Sequence, residues 1–176
     1  VEFVGETDAV IDRKLDEVEE KITKFKVATH RTRSEEEAEK YWTIRRESFN
    51  LLRQHVKGKR TAPFIDDIVV RPEFLPEFLP RLTKILDQYE LLYTVAGHAG
   101  NGNFHIIPLM DMKDPANAEK IMKVSELVYD LVAEYHGSIT GEHNDGIIRT
   151  PYLSKMFSGD MIKLFEEIKQ IFDPKN

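Results

Sequence analysis

An Asn-Gly pair at residues 101–102, set in the run GHAGNGNFHI (97–106), constrains this chain more than any other stretch. A type I′ turn needs φ > 0 at both central positions, and Asn-Gly meets that need at little cost. With Asn101 and Gly102 at the corner, strands over 91–97 and 103–109 form a hairpin. It pairs Gly100 with Asn103, Ala99 with Phe104 and His98 with His105. Directly opposed residues share a face, with Cβ atoms roughly 4.5–5.5 Å apart. Two imidazoles at that spacing can grip one metal ion, or they are simply half-buried strand histidines.

Helical and strand patterns surround the hairpin. Residues 1–4 read as a strand. Thr7 or Asp8 caps a helix to about residue 25, with Val10, Ile11, Leu15, Val18 and Ile22 at helical spacing. A short strand over 26–29 follows, and Ser34 with Glu37 forms a capping box that opens a helix to about residue 56. KGKRTAP reads as a polar loop, FIDDIVV (64–70) as a strand, and Pro72-Glu73 as the start of a helix to about residue 88. A helix from Pro115 to about His136 is predicted to bury Ala118, Ile121, Met122, Val124, Leu127, Val128 and Leu131. A short strand over 138–140 and helices over 150–157 and 159–172 complete the chain. Strands separated by helices, with one hairpin, predict an α+β fold: a largely antiparallel sheet with helices packed on it.

The 176 residues suffice for one domain with a substantial core, or for two small lobes. Net charge is −6, from 25 Lys and Arg against 31 Asp and Glu, which argues against an extended nucleic-acid surface. The absence of cysteine excludes disulfides, thiolate metal sites and a cysteine nucleophile. No apolar run approaches the roughly 20 residues of a transmembrane helix. VEFVG opens as though inside a strand and IFDPKN stops just after a helix, so the chain reads as a piece of a longer one.

A second chemical cluster lies in GSITGEHNDGIIR (137–149). Glu142 and His143 are neighbours in a loop bounded by Gly141 and Gly146. Adjacent side chains on an extended backbone point apart, so one loop can serve two tasks. Glu142 can complete a His98/His105/Glu142 metal site with open positions for substrate. His143 can then stand beside the ion as a general base. A solvated Glu-His surface turn is the alternative. In YWTIRRESFNLL (41–52), Trp42, Arg45, Arg46 and Phe49 share one helical stripe. An arginine there can bind a carboxylate as a fork, or pair with Glu39 or Glu47 on the helix surface. His30 and His55 read as surface residues, and His136 as a helix C-terminal cap.

GHAGNGNFH, GSITGEH and the terminal IFDPKN together resemble the C-terminal domain of FAD-linked oxidases of the vanillyl-alcohol oxidase superfamily. That group includes D-lactate dehydrogenase, the flavin subunit of glycolate oxidase and D-2-hydroxyglutarate dehydrogenase. The resemblance spans nearly the whole chain. It implies a ferredoxin-like cap domain over residues 1–176, with FAD bound mainly by a separate domain of the same polypeptide. It further implies a divalent metal held by His98, His105 and Glu142, with His143 as the base that removes the hydroxyl proton of a D-2-hydroxy acid. Asn103 would supply a polar substrate contact and Arg45 a carboxylate anchor. Imidazole and carboxylate ligands suit zinc, iron or manganese.

Departures from the family pattern are Asn101 for the usual Asp, and Asn144-Asp145 for the Gly after the Glu-His pair. No lysine stands near Ile65, where relatives acting on dicarboxylates carry one. The implied protein binds a small 2-hydroxy acid and no nucleic acid, and is cytoplasmic or peripheral to a membrane. A homodimer is one option for its assembly. Two other functions fit the same residues: a metal-dependent hydrolase using His98, His105 and Glu142 to activate water, and a non-catalytic structural subunit.

Overall fold

The structure, a computed structural model, describes residues 2–32 and 34–176, and the side chains of residues 49, 53 and 55 lie outside that description. The expectations for Val1, for the ring of Phe49 and for His55 as a surface residue therefore fall outside it. The chain divides into two compact units, Val1–Leu51 and Leu52–Asn176.

The first unit is helical. Helix α1 (Asp8–Thr23) begins after an extended Thr7, and α2 (Glu35–His55) runs past the unit boundary. Half of the predicted capping box is present, with Ser34 Oγ accepting from the backbone N–H of Glu37 at 3.2 Å. Glu37 Oε1 also reaches Nε2 of the exposed His30 at 2.7 Å. Arg31 forks onto Glu19 and Asp16, with contacts of 2.7 Å. Neither short strand expected here forms among the described residues: 2–4 and 26–29 have no sheet partner there, and Lys26 turns the chain with φ of +55°.

An antiparallel sheet centred on β4 (Asn103–Met110) organises the second unit. Strand β3 (Leu92–His98) runs along one edge of β4. The other edge is shared by β1 (Arg60–Thr61), at Met110 and Leu109, and β2 (Ile68–Val69), at Phe104 and Asn103. The polar stretch 57–63 thus contributes a two-residue strand where a loop was expected. The expected strand over 64–70 shrinks to Ile68–Val69, because Asp67 adopts φ of +66° and bends the chain out of extension. The strand over 138–140 reduces to a single bridge between Val69 and Ser138.

The hairpin forms in a different register. His98 pairs with Asn103, Gly97 with Phe104 and Ala96 with His105. A short 3₁₀ turn over Ala99–Asn101 leads into Gly102 at φ of +70°. Gly102 tucks against β2: Val70 donates its N–H to the Gly102 carbonyl at 3.0 Å, and a Cβ on Gly102 would lie 1.8 Å from the Val70 carbonyl oxygen. That close approach widens the two-residue turn to four. Each partner shifts by two residues, an even number, so the side chains keep their face. His98, Asn103 and His105 still lie together, with the two imidazoles as diagonal neighbours.

The even positions Phe104, Ile106 and Met110 enter the core beside Ile68 and Val70. Helix α3 (Leu75–Gln88) adds Phe78, Leu82 and Leu86, four residues apart and so on one face. Helix α4 (Ala116–Glu134) adds Val124, Val128, Tyr129 and Val132. Leu131 is buried and Ile121 partly so, whereas the expected core residues Ala118, Met122 and Leu127 face solvent. His136 closes α4 in the left-handed region at φ of +52° and donates its backbone N–H to Ala133. The last third holds α5 (Gly146–Arg149), a 3₁₀ segment Thr150–Lys155 in place of the helix expected over 150–157, and α6 (Gly159–Phe172). No helix among the described residues is long and apolar enough to cross a membrane.

Candidate active site

Three segments meet on the sheet face opposite the core. The hairpin supplies His98, Asn103 and His105, the bend before β2 supplies Asp66 and Asp67, and the loop after Ser138 supplies Glu142 and His143. Asp67 anchors the assembly. It is fully buried, and its two oxygens take the Asn103 amide, the backbone N–H groups of Gly141, Glu142 and His143, and the Thr140 hydroxyl, at 2.8–3.4 Å. Burial alone would raise the pKa of this carboxyl. The hydrogen bonds from His143, Glu142, Gly141 and Asn103 outweigh it and hold the group at about 2. Gly141 has to be glycine for this grip, since a Cβ there would lie 2.6 Å from the Asn103 amide nitrogen and 3.0 Å from Asp67 Oδ1.

Above this anchor the titratable groups converge. Nε2 of His105 lies 3.0 Å, and Nε2 of His98 3.4 Å, from the same oxygen of Glu142. Adjacent ligands of an ion bound at roughly 2.0–2.2 Å stand roughly 3.0–3.5 Å apart, the range in which each imidazole Nε2 stands from this Glu142 oxygen. The rings of His98 and His105 meet edge to face at 5.8 Å between centroids. His143 stacks on His105 at 4.9 Å with only 14° between the planes. Asp66 contacts Nδ1 of both stacked rings at 3.1 Å. One ligand atom each from Asp67, His105, Glu142 and His143 also falls within 4.8 Å of the others. The oxygens of Asp67 are already occupied by five donors, so Asp67 fits an anchor, and His98 lies outside this group of four.

Arg149 ties the segments together from behind. It is buried, and its guanidinium donates to the carbonyls of Asn144 at 2.6 Å and Asp66 at 2.8 Å. Its Nε, Oδ1 of Asn103 and Oδ1 of Asp145 are buried without a hydrogen-bond partner among the described residues. Arg45 belongs to the first unit, where its guanidinium lies over the Trp42 ring at 5.7 Å with no carboxylate partner among the described residues. Arg46, its neighbour, pairs with Glu39. A groove of about 790 Å³ along α3, lined by Leu79, Pro80, Thr83 and Lys84, carries none of this chemistry.

Sequence reasoning placed His98, His105, Glu142 and His143, and the structure brings all four together. It missed Asp66, Asp67 and Arg149. The available signal was the adjacent Asp pair inside the apolar run FIDDIVV. On a strand the two carboxylates would point to opposite faces, so at least one is driven toward burial and has to find donors.

Fold and site define an α+β domain whose sheet presents imidazoles and carboxylates from one face. The chain belongs to the family described as "FAD linked oxidases, C-terminal domain", which matches residues 1–176. Among its relatives, "D-2-hydroxyglutarate dehydrogenase" of Pseudomonas putida is 31% identical over 100% of this chain and 18% of its own length. "D-lactate dehydrogenase [cytochrome], mitochondrial" of Arabidopsis thaliana is 28% identical, covering 99% of this chain and 30% of its own length. "Glycolate oxidase subunit GlcD" of Bacillus subtilis is 27% identical, with coverage of 94% and 35%. The chain thus spans between about a fifth and a third of the length of these relatives.

Proposed function

We propose that residues 1–176 form the substrate- and metal-binding cap of an FAD-dependent dehydrogenase that oxidises a D-2-hydroxy acid, lactate- or glycolate-like, to the 2-oxo acid. The observation that carries this reading is the approach of two imidazole Nε2 atoms to one oxygen of Glu142, with a third imidazole, His143, beside them. When bound, the divalent ion supplies a Lewis acid for the hydroxyl and carboxylate of such an acid, and FAD supplies the hydride acceptor. His98, His105 and Glu142 hold the ion. Zinc, iron and manganese all suit the donor set.

His143 takes the hydroxyl proton on Nε2, which has no partner among the described residues. Arg45, without a carboxylate partner among the described residues, is the anchor for the acid's carboxylate in this reading. Asn103, whose amide nitrogen holds Asp67, is the polar contact to the substrate in this reading. We place the FAD-binding residues mainly in a separate domain. The relatives have room for one, and neither connection from strand to helix in this chain, β2 to α3 or β4 to α4, carries the glycines of a pyrophosphate cradle.

The test separates Glu142 from His143 in the flavoprotein that contains this domain. Glu142→Gln should lose metal, by elemental analysis, together with substrate affinity. His143→Asn should keep both, yet turn over about 10²–10⁴-fold more slowly, the usual worth of a general base. Release of metal by His143→Asn, or undiminished turnover, would overturn the assignment.

A further inference from the structure

Asp66 gives one carboxylate oxygen to each of two imidazoles. Oδ1 lies 3.1 Å from Nδ1 of His105, and Oδ2 lies 3.1 Å from Nδ1 of His143. A carboxylate accepts hydrogen bonds and has none to donate, so both Nδ1 atoms carry the hydrogen. The lone pair of each neutral ring is then on Nε2.

The two lone pairs meet different surroundings. At His105 it faces Oε1 of Glu142 across 3.0 Å, acceptor against acceptor, an arrangement a cation makes favourable. At His143 it faces no group among the described residues, on a side chain 47% exposed. We propose that Asp66 is a positioning residue that fixes the Nδ1–H tautomer of His105 and His143 together. One carboxylate thereby readies a metal ligand and a proton acceptor from two stacked rings. What the Nε2 atoms do rests on the function proposed above; which nitrogen bears the hydrogen does not.

The surroundings of Asp66 keep it in that orientation. Its side chain is 10% exposed, its carbonyl is held by Arg149 at 2.8 Å, and the next residue is the buried Asp67. Outer carboxylates of this kind are worth 10–100-fold in metal affinity.

Long-range ¹H–¹⁵N spectra of the ¹⁵N-histidine chain, with chelator present, read the tautomer of each ring directly. His105 and His143 should both be protonated at Nδ1. Asp66→Asn keeps the shape but faces the rings with one oxygen and one NH₂ group. One ring should therefore switch to Nε2–H, and Zn²⁺ titrated by calorimetry should bind about 10–100-fold more weakly. An Nε2–H tautomer on either ring of the wild-type chain overturns the proposal. So does an Asp66→Asn chain in which both rings keep Nδ1–H. The wild-type spectrum needs no substitution and decides the matter even if the variant fails to fold. A wild-type chain with both Nδ1–H tautomers and no Zn²⁺ uptake overturns the metal reading and leaves the tautomer assignment standing.

Discussion

Replacing Asp67 by asparagine tests whether one buried charge holds the Glu142–His143 loop in place. The folded carboxyl sits at about 2 against an ordinary 3.8, a depression of roughly 1.8 units. At 1.36 kcal/mol per unit, the charged form contributes about 2 kcal/mol to folding at neutral pH. The substituted amide would also turn an NH₂ group toward backbone N–H donors, so the expected loss at pH 7 is roughly 2–4 kcal/mol. The sign of the pH dependence follows from a folded pKa below the unfolded one. The stabilisation is complete well above 3.8 and is lost as pH falls toward 2. About 1 kcal/mol of it should be gone by pH 3. Urea unfolding of both chains at pH 7 and pH 3, with chelator present, gives the difference directly, because the other carboxyls titrate alike in both and cancel. Amide exchange at Gly141, Glu142 and His143 should quicken in the variant. A stability difference that stays constant between the two pH values, or unchanged exchange at those amides, would refute the reasoning.

Two further substitutions probe the frame around the site. Gly102→Ala sets a Cβ 1.8 Å from the Val70 carbonyl oxygen at φ of +70°, and should cost roughly 2–5 kcal/mol in denaturant unfolding, with loss of protection at the Val70 amide. Tyr129→Phe removes the hydroxyl that donates to the Phe64 carbonyl at 2.5 Å inside the core, and should cost roughly 1–2 kcal/mol; a neutral effect would mean that the carbonyl finds another donor.

The α+β class was legible because helical and alternating patterns are local and strong, as in the four-residue spacing of Phe78, Leu82 and Leu86. The two histidines of the hairpin could be placed on one face because an even register shift preserves faces. Their pairing could not be read, since the contact that widens the turn comes from Val70, about thirty residues upstream. Asp66 and Asp67 were hidden for a related reason. Their partners, Asn103, His105 and residues 140–143, lie 36 to 77 positions away, and no local period records such contacts. Residues 57–63 look polar and loop-like, yet Arg60 and Thr61 find a free edge of β4, which only the finished sheet supplies.

The loop bearing Glu142 and His143 joins the sheet through one bridge, Val69 with Ser138, and through Asp67, 76 residues before His143. Closing a loop of that length is entropically costly and slow compared with zipping a hairpin. The hairpin that joins His98 and His105 closes over a four-residue turn, whereas bringing Glu142 to them takes the long closure through Asp67. A chain holding the hairpin alone would present two imidazoles without Glu142. On the function proposed above, tight ion capture therefore requires the finished chain, because the last long-range closure delivers the carboxylate.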